Sequence, residues 1–460
     1  MKLFLFSISL VLTAFLFSCK KDKNFTKDHL DFSTDTLLFD TVFTTVGSTT
    51  QRFKIYNRNI GAIRIDEIEL MGGESSPFRI NFDGVPGDYH ENIEIPGNDS
   101  LFGFVEVTLD VNSSTFPLVI SDSIRFLTNG LNQYLKLDVW GQDAYFHTNE
   151  LVADEIEMWN NDKPHVLYGI AAVGYPGLDS NLTLTIPAGT QIYAHKNARL
   201  IVYKSTLKIE GSLGNEVTFQ GDRLENFYDD IAGQWWGIHM IQPQPSSIDY
   251  AIIKNGSVGL RVDTTIAATT LDLTNTTIDN SSFYNLNLVA SPIVNVSNCH
   301  FGRAGIASAF LFAGGEYHFT QCNFAKYWNG GRSGPAFLLQ NWYQFEDVIY
   351  VSSVVNSRFD NCIFYGNALN EFEVDTLMGL EMNFEFNACL MKREEIYTYP
   401  NYSPSVIWNV NPLFVDPALS DFHLQEGSPV KDAGDPLFST PLDIEGIPRG
   451  GSPAIGLYEL

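Results

Sequence analysis

Between about residue 150 and residue 425, apolar side chains come in short runs, one strand every 8–10 residues. Leu182-Thr183-Leu184-Thr185-Ile186, Ile192-Tyr193, Leu200-Ile201-Val202, Leu207-Lys208-Ile209 and Val217-Thr218-Phe219 follow one another with Gly, Asn or Lys between them. Alternation with a period of two, broken by turn residues, predicts short β-strands. A longer period lies over this one. The small residues Ala251, Thr276, Cys299, Cys322, Cys362 and Cys389 recur at steps of 25, 23, 23, 40 and 27. Three residues before each stand Ile248, Leu273, Val296, Phe319, Phe359 and Phe386, and two residues after each stand Ile253, Ile278, Phe301, Phe324, Phe364 and Met391. A period in the twenties marks a solenoid whose repeats bury their apolar faces on one another. Three strands per coil predict a three-sided parallel β-helix of about ten coils over 150–425. A further column, Leu260, Leu286, Phe310 and Phe337, keeps the coil length and places an insertion between Gln340 and Ser357.

Ahead of the solenoid the pattern changes. Phe53-Lys54-Ile55-Tyr56, Ile63-Arg64-Ile65, Phe104-Val105-Glu106-Val107, Ile124-Arg125-Phe126 and Leu135-Lys136-Leu137-Asp138-Val139 alternate strictly, as half-buried antiparallel strands do. Seven or so such strands over residues 31–146 fit an Ig-like β-sandwich. Phe39-Asp40-Thr41-Val42-Phe43 and Trp140-Gly141-Gln142-Asp143-Ala144 resemble the start and finish of Ig-like domains that precede β-helices in bacterial lipoproteins. The run 182–219 resembles the opening coils of right-handed parallel β-helix proteins of the pectate-lyase-like superfamily. Gly233-Gln234-Trp235-Trp236-Gly237-Ile238-His239 is similar to a strand that follows there. Asn411-Pro412-Leu413-Phe414-Val415-Asp416-Pro417, Gly427-Ser428-Pro429 and Ile455-Gly456-Leu457-Tyr458-Glu459 resemble the closing segment of such proteins. The fold class implied is all-β: a sandwich, then a right-handed parallel β-helix, then a capping segment over 426–460. Open sheet edges at the ends of a solenoid need covering, and residues 411–460 are expected to supply one cover.

Lys2, the apolar run Leu3 to Phe17 and Leu16-Phe17-Ser18-Cys19 read as a secretory signal over residues 1–18. The last four residues resemble a lipobox, which implies cleavage before Cys19, acylation of that cysteine and a hydrated tether over 19–30. The outer membrane, on its periplasmic or cell-surface face, is the implied location, with membrane lipid as the partner of acylated Cys19. The balance of 28 basic against 54 acidic residues gives a net charge of −26, which repels nucleic acids and disfavours polyanionic sugars unless cations bridge them. The four remaining cysteines stand in the ladder. Equivalent side chains on stacked strands lie about 4.8 Å apart, too far and too parallel for a disulfide. They are expected to be thiols filling the core, and with no CxxC spacing zinc is not expected.

Three places carry candidate chemistry. Asp222, Glu225, Asp229 and Asp230 put four carboxylates into nine residues, a candidate Ca²⁺ site set against a solvated acidic loop. Tyr327, Trp328, Trp342 and Tyr343 flank the Gly330-Gly331-Arg332 turn, lead into the insertion and offer aromatic faces suited to sugar rings, with Arg332 beside them, set against packing of the loop onto the coils. Tyr397, Tyr399 and Tyr402 are a weaker set of the same kind. Lys196, Arg261 and Arg303, with His195, His239 and His300, stand singly and form no catalytic phrase. The expected role is therefore a lipid-anchored, monomeric envelope protein that binds a polysaccharide or mediates adhesion without catalysis. The competing reading is a polysaccharide lyase or glycoside hydrolase, and its mark would be a basic residue and two carboxylates converging on one face of adjacent coils.

Overall fold

The computed structural model describes residues 29–43, 48, 50–109, 118–152, 154–177, 180–224, 226–263, 270–331, 333–377, 379–396 and 401–460. Cys19, Glu225, Arg332, Tyr397 and Tyr399 lie outside the described residues. The chain divides into two compact units, Met1–Asp143 and Ala144–Leu460.

The first unit is built from two five-stranded sheets. Gln51–Asn57, Asp99–Val107 and Phe78–Phe82 pair antiparallel in one. In the other, Leu131–Gln142 pairs antiparallel with Leu118–Thr128 and parallel with Thr36–Phe43. Alternation explains the layering: Phe53, Ile55, Ile65, Phe78, Val105, Phe126 and Val139 all turn into one core, and the residues between them face out.

The second unit is a 25-stranded sheet wound into three columns of parallel strands, a parallel β-helix. In the second column Ile209, Ile248, Leu273, Val296, Phe319, Phe359 and Phe386 stand in register. In the third, Phe219, Ile253, Ile278, Phe301, Phe324, Phe364 and Met391 do the same. Both expected ladders are therefore real stacks. Their rings lie face to face inside the coil, with Phe324 and Phe364 4.8 Å apart at 3° and Phe359 and Phe386 4.4 Å apart at 12°.

The small column between them has a local cause. At each of these corners the residue before the small one takes a left-handed backbone: Tyr250 (φ 46°), Asn275 (47°), Asn298 (52°), Gln321 (56°), Asn361 (54°) and Ala388 (46°). Asparagine tolerates that region better than other side chains do. The following side chain then bonds the carbonyl two residues back: Thr276 to Thr274 at 2.7 Å, Cys299 to Ser297 at 3.2 Å, and Cys322, Cys362 and Cys389 to their equivalents at 3.3 Å. All four cysteines are free and buried, and burial pushes the Cys299 and Cys362 thiols up.

One expected column is corrected. Leu286 pairs with Ala309, not Phe310, and Ala309 pairs with Phe337. Ala309 and Leu311 point inward, whereas Phe310 turns out against Phe312 at 4.5 Å. A slip of one residue moves a strand side chain to the other face. The insertion is an antiparallel hairpin of Trp342–Phe345 and Val348–Val351.

The expectation that residues 411–460 cover an end of the solenoid is corrected: the segment runs along the flank of the coils, tied to the asparagines of successive corners. Asn387 donates to Asp435 Oδ2 (2.9 Å), Asn361 to the carbonyls of Asp435 (3.0 Å) and Phe438 (3.1 Å), and Asn298 to that of Leu442 (2.8 Å). Beneath it Phe414, Phe422, Leu424, Val430 and Ile455 cover Ala325, Ile363 and Leu390.

Candidate functional site

Along the first column Leu200, Ile238, Leu260 and Leu286 point inward. The residues one place further on, Ile201, His239, Arg261, Asn287 and Phe310, therefore share the outer face in register. Two residues past Arg261, Asp263 points the same way, because strand side chains alternate. Its carboxylate is held from two coils: His239 Nε2 lies 2.7 Å from Oδ2, and Arg261 Nε donates to Oδ1 at 2.8 Å. Burial pushes the Asp263 carboxyl up, but the bonds from His239 and Arg261 outweigh it and hold the group below the usual range.

An ionised carboxylate only accepts hydrogen bonds. His239 must then carry a proton on Nε2, and in the neutral ring the lone pair is on Nδ1. The Trp236 ring lies 5.1 Å from the imidazole, and the Arg199 guanidinium lies 5.2 Å from the Trp236 centroid. The terminal amines of Arg261 have no partner among the described residues. Tyr284 packs against Phe310 at 5.5 Å, and burial raises its hydroxyl while Arg261 opposes the rise. Between Arg261 and Phe310, Asn287 is buried, and its Oδ1 has no partner among the described residues.

The hairpin brings Tyr343 to this neighbourhood. Its ring lies 5.1 Å from Phe312 and stacks on Tyr350 at 4.8 Å and 13°. Burial, Tyr350 and Asp263 raise its hydroxyl, so Asp263 is within electrostatic reach. Trp342 is half-buried opposite Val351. Tyr327 lies elsewhere: it packs on Phe414 and Phe422 under the carboxy-terminal segment, and burial pushes its hydroxyl up. Trp328 is half-buried, and its indole N–H has no partner among the described residues. The aromatic set therefore splits, and Tyr343 is its member beside the His239–Asp263–Arg261 cluster. Tyr402 stacks on Phe386 at 5.5 Å and extends the core.

The acidic loop also disperses. Asp222 is bound to His195 Nδ1 at 2.6 Å, with burial raising its carboxyl against that bond. Asp230 meets Arg303 at 3.1 Å, and Arg303 also grips Asp279 at 2.6 Å. Asp229 contributes its backbone carbonyl to Asn255. Among the described residues no three His, Cys, Asp or Glu side chains gather as a metal cage.

His239 and Arg261 were visible in the sequence only as single residues, and Asp263 and Tyr284 were not singled out. A usable signal existed: Arg261 and Asp263 follow His239 by 22 and 24 residues, one coil each.

No protein-family model matches the sequence, and no curated protein matches it either. Among solved structures, the A-module of the mannuronan C-5 epimerase AlgE6 of Azotobacter vinelandii is 11% identical over 54% of this chain and 90% of that one, with a TM-score of 0.25. A family 123 glycoside hydrolase from Clostridium perfringens, studied for glycolipid glycan hydrolysis, is 11% identical over 28% of this chain and 26% of its own, with a TM-score of 0.19. Neither likeness carries a residue or an activity over to this chain.

Proposed function

We propose that the outer face of the first column is a carbohydrate-processing centre that removes a proton from a uronate-bearing polysaccharide, as a lyase does. The observation that carries this reading is one carboxylate, Asp263, orienting a histidine base from the adjacent coil and an arginine from its own strand. Arg261 would pair with the sugar carboxylate through its free amines. His239 Nδ1 would take the proton α to that carboxylate. The electron pair left behind forms the new carbon–carbon double bond as the bond to the glycosidic oxygen breaks, and Tyr284 or Tyr343 would give that oxygen a proton. Arg199 and Arg261 offset locally the repulsion from a net charge of −26. A hydrolase needs two carboxylates about the scissile bond, and Asp263 is the one that the cluster supplies.

The test is incubation of the protein with uronate-containing and neutral glycans, with and without Ca²⁺. New double-bond absorbance in the ultraviolet is expected. H239A and D263N should each lower the rate by about 10²-fold or more. Absence of product from every uronate glycan would overturn the lyase reading. Glycan retention without product would favour non-catalytic binding, for which the hairpin offers the Tyr343–Tyr350 stack and four exposed residues, Val348 to Val351.

We further propose that Cys19 is acylated and anchors the chain to the outer membrane, on the strength of the amino-terminal sequence. Labelled palmitate should enter the wild type and not C19A. Equal labelling of both would remove the anchor.

A further inference from the structure

The first unit divides its charge between its two faces. In the sheet that holds Gln51–Asn57, Asp99–Val107 and Phe78–Phe82, the residues Phe53, Ile55, Phe78, Ile80 and Val105 turn inward. Side chains alternate along a strand, so Arg52, Lys54, Tyr56, Arg79, Phe102 and Phe104 share the outer face. Register sets Arg52 against Phe104 and Lys54 against Phe102. The two phenylalanine rings stack at 6.1 Å and 25°. The Lys54 ammonium lies 4.8 Å and the Arg52 guanidinium 5.8 Å from the Phe102 centroid. Arg58 lies 5.0 Å from the Tyr56 centroid and binds Asp31 at 2.7 Å. Glu106 is the other outward carboxylate on these strands, and it accepts from the Thr50 hydroxyl. Among the described residues no ion pair joins Arg52, Lys54 or Arg79 to a carboxylate. The other sheet is the reverse. Asp66, Glu67, Glu69, Glu91, Glu94 and Asp138 face outward from it, against Arg64, Arg125 and Lys136.

Two packed sheets stand about 10 Å apart, and at physiological ionic strength charges are screened beyond about 8 Å. A body resting on the first sheet therefore feels its cations and little of the acidic face behind them, whatever the net charge of −26. We propose that this Arg52–Lys54–Phe102–Phe104 face docks on the anionic headgroup surface of a phospholipid bilayer.

The chemistry of the face favours lipid over a soluble polyanion. Its stacked rings are phenylalanines, with Phe104 37% exposed, and they lack the polar edge through which tyrosine and tryptophan bond. Cations set beside apolar rings suit the boundary between headgroups and acyl chains. The path of the chain points the same way. Asp31–Phe32 pairs with Gln51–Asn57 in this sheet, and Asp31 stands twelve residues past Cys19. Twelve residues span about 40 Å at full extension, and Lys20, Lys21 and Lys23 stand among them. The proposed acyl anchor would thus hold the face within reach of the bilayer. The inference rests on that anchor for proximity alone, and on none of the catalysis proposed for the second unit.

The test binds the acylated full chain to phosphatidylcholine vesicles with or without phosphatidylglycerol. An environment-sensitive dye is attached at S100C, opposite Tyr56 on the docking face, or at S121C, opposite Asp138 on the other sheet. The four ladder cysteines are buried. The S100C dye should brighten and shift to the blue on the anionic vesicles alone, with the S121C dye unchanged. Each basic residue near such a surface is worth about fivefold in binding, so R52E/K54E should lower the ratio of docked to undocked chain by about 25-fold or more. Salt at about 1 M, which cuts the screening length to about 3 Å, should also remove the shift. An anchored chain without the shift, equal shifts from both labels, or a shift that survives R52E/K54E would overturn the proposal. A shift given by a soluble uronate polymer and not by vesicles would assign the face to a glycan and overturn it too. A chain that stays off neutral vesicles fails at the anchor instead, and the same labels in C19A on anionic vesicles then decide the docking.

Discussion

His300 is buried and, among the described residues, neither ring nitrogen has a hydrogen-bond partner, while the Phe422 ring lies 4.5 Å away. Burial pushes its pKa down to about 4, with Asp279 opposing. An unfolded histidine titrates near 6.5. The folded value is the lower one, so the neutral ring contributes stability above pH 6.5 that is lost as pH falls towards 4. Two and a half units correspond to about 3 kcal/mol. H300F, which keeps a flat ring against Phe422, should show a urea midpoint less sensitive to acid over that window. An unchanged acid dependence would mean that His300 finds a partner. In the sequence this residue was one of several single histidines, because burial is not visible from residue type alone.

At the scale of the strand and its turn, the Asn-Cys corner joins a left-handed residue to a small side chain that bonds backward. Thr276 and Cys362 occupy the same place, which makes the hydroxyl and the thiol interchangeable there. C362T should therefore stay within about 1 kcal/mol of the wild type, while C362A loses the bond and some volume, about 1–2 kcal/mol. F364A, which removes a ring stacked on Phe324, should cost about 3–5 kcal/mol. Denaturant titration ranks the three, and an order other than F364A, C362A, C362T would contradict the corner's assigned role. The second and third columns were legible because the residues that stack also repeat. The first was read one place off at Phe310, since an aromatic outweighs the Ala309 beside it in any apolar pattern. The candidate site was not legible as a unit. His239, Arg261 and Asp263 face outward, where nothing requires one coil to repeat the chemistry of the next, so only their coil-length spacing connected them.

On the scale of the whole second unit, each coil touches mainly its neighbours, and such stacks can melt inward from an end. The flanking segment works across that grain. Asn298 and Leu442 are 144 residues apart, and Asn361 and Asp435 are 74 apart. Closing contacts of that separation costs chain entropy before anything is gained, so they form late. A tie laid over several coils also makes them share one fate: a coil cannot fray without releasing the segment that holds the others. The consequence is a change in cooperativity, from a row of units that open one by one towards a body that opens together or not at all.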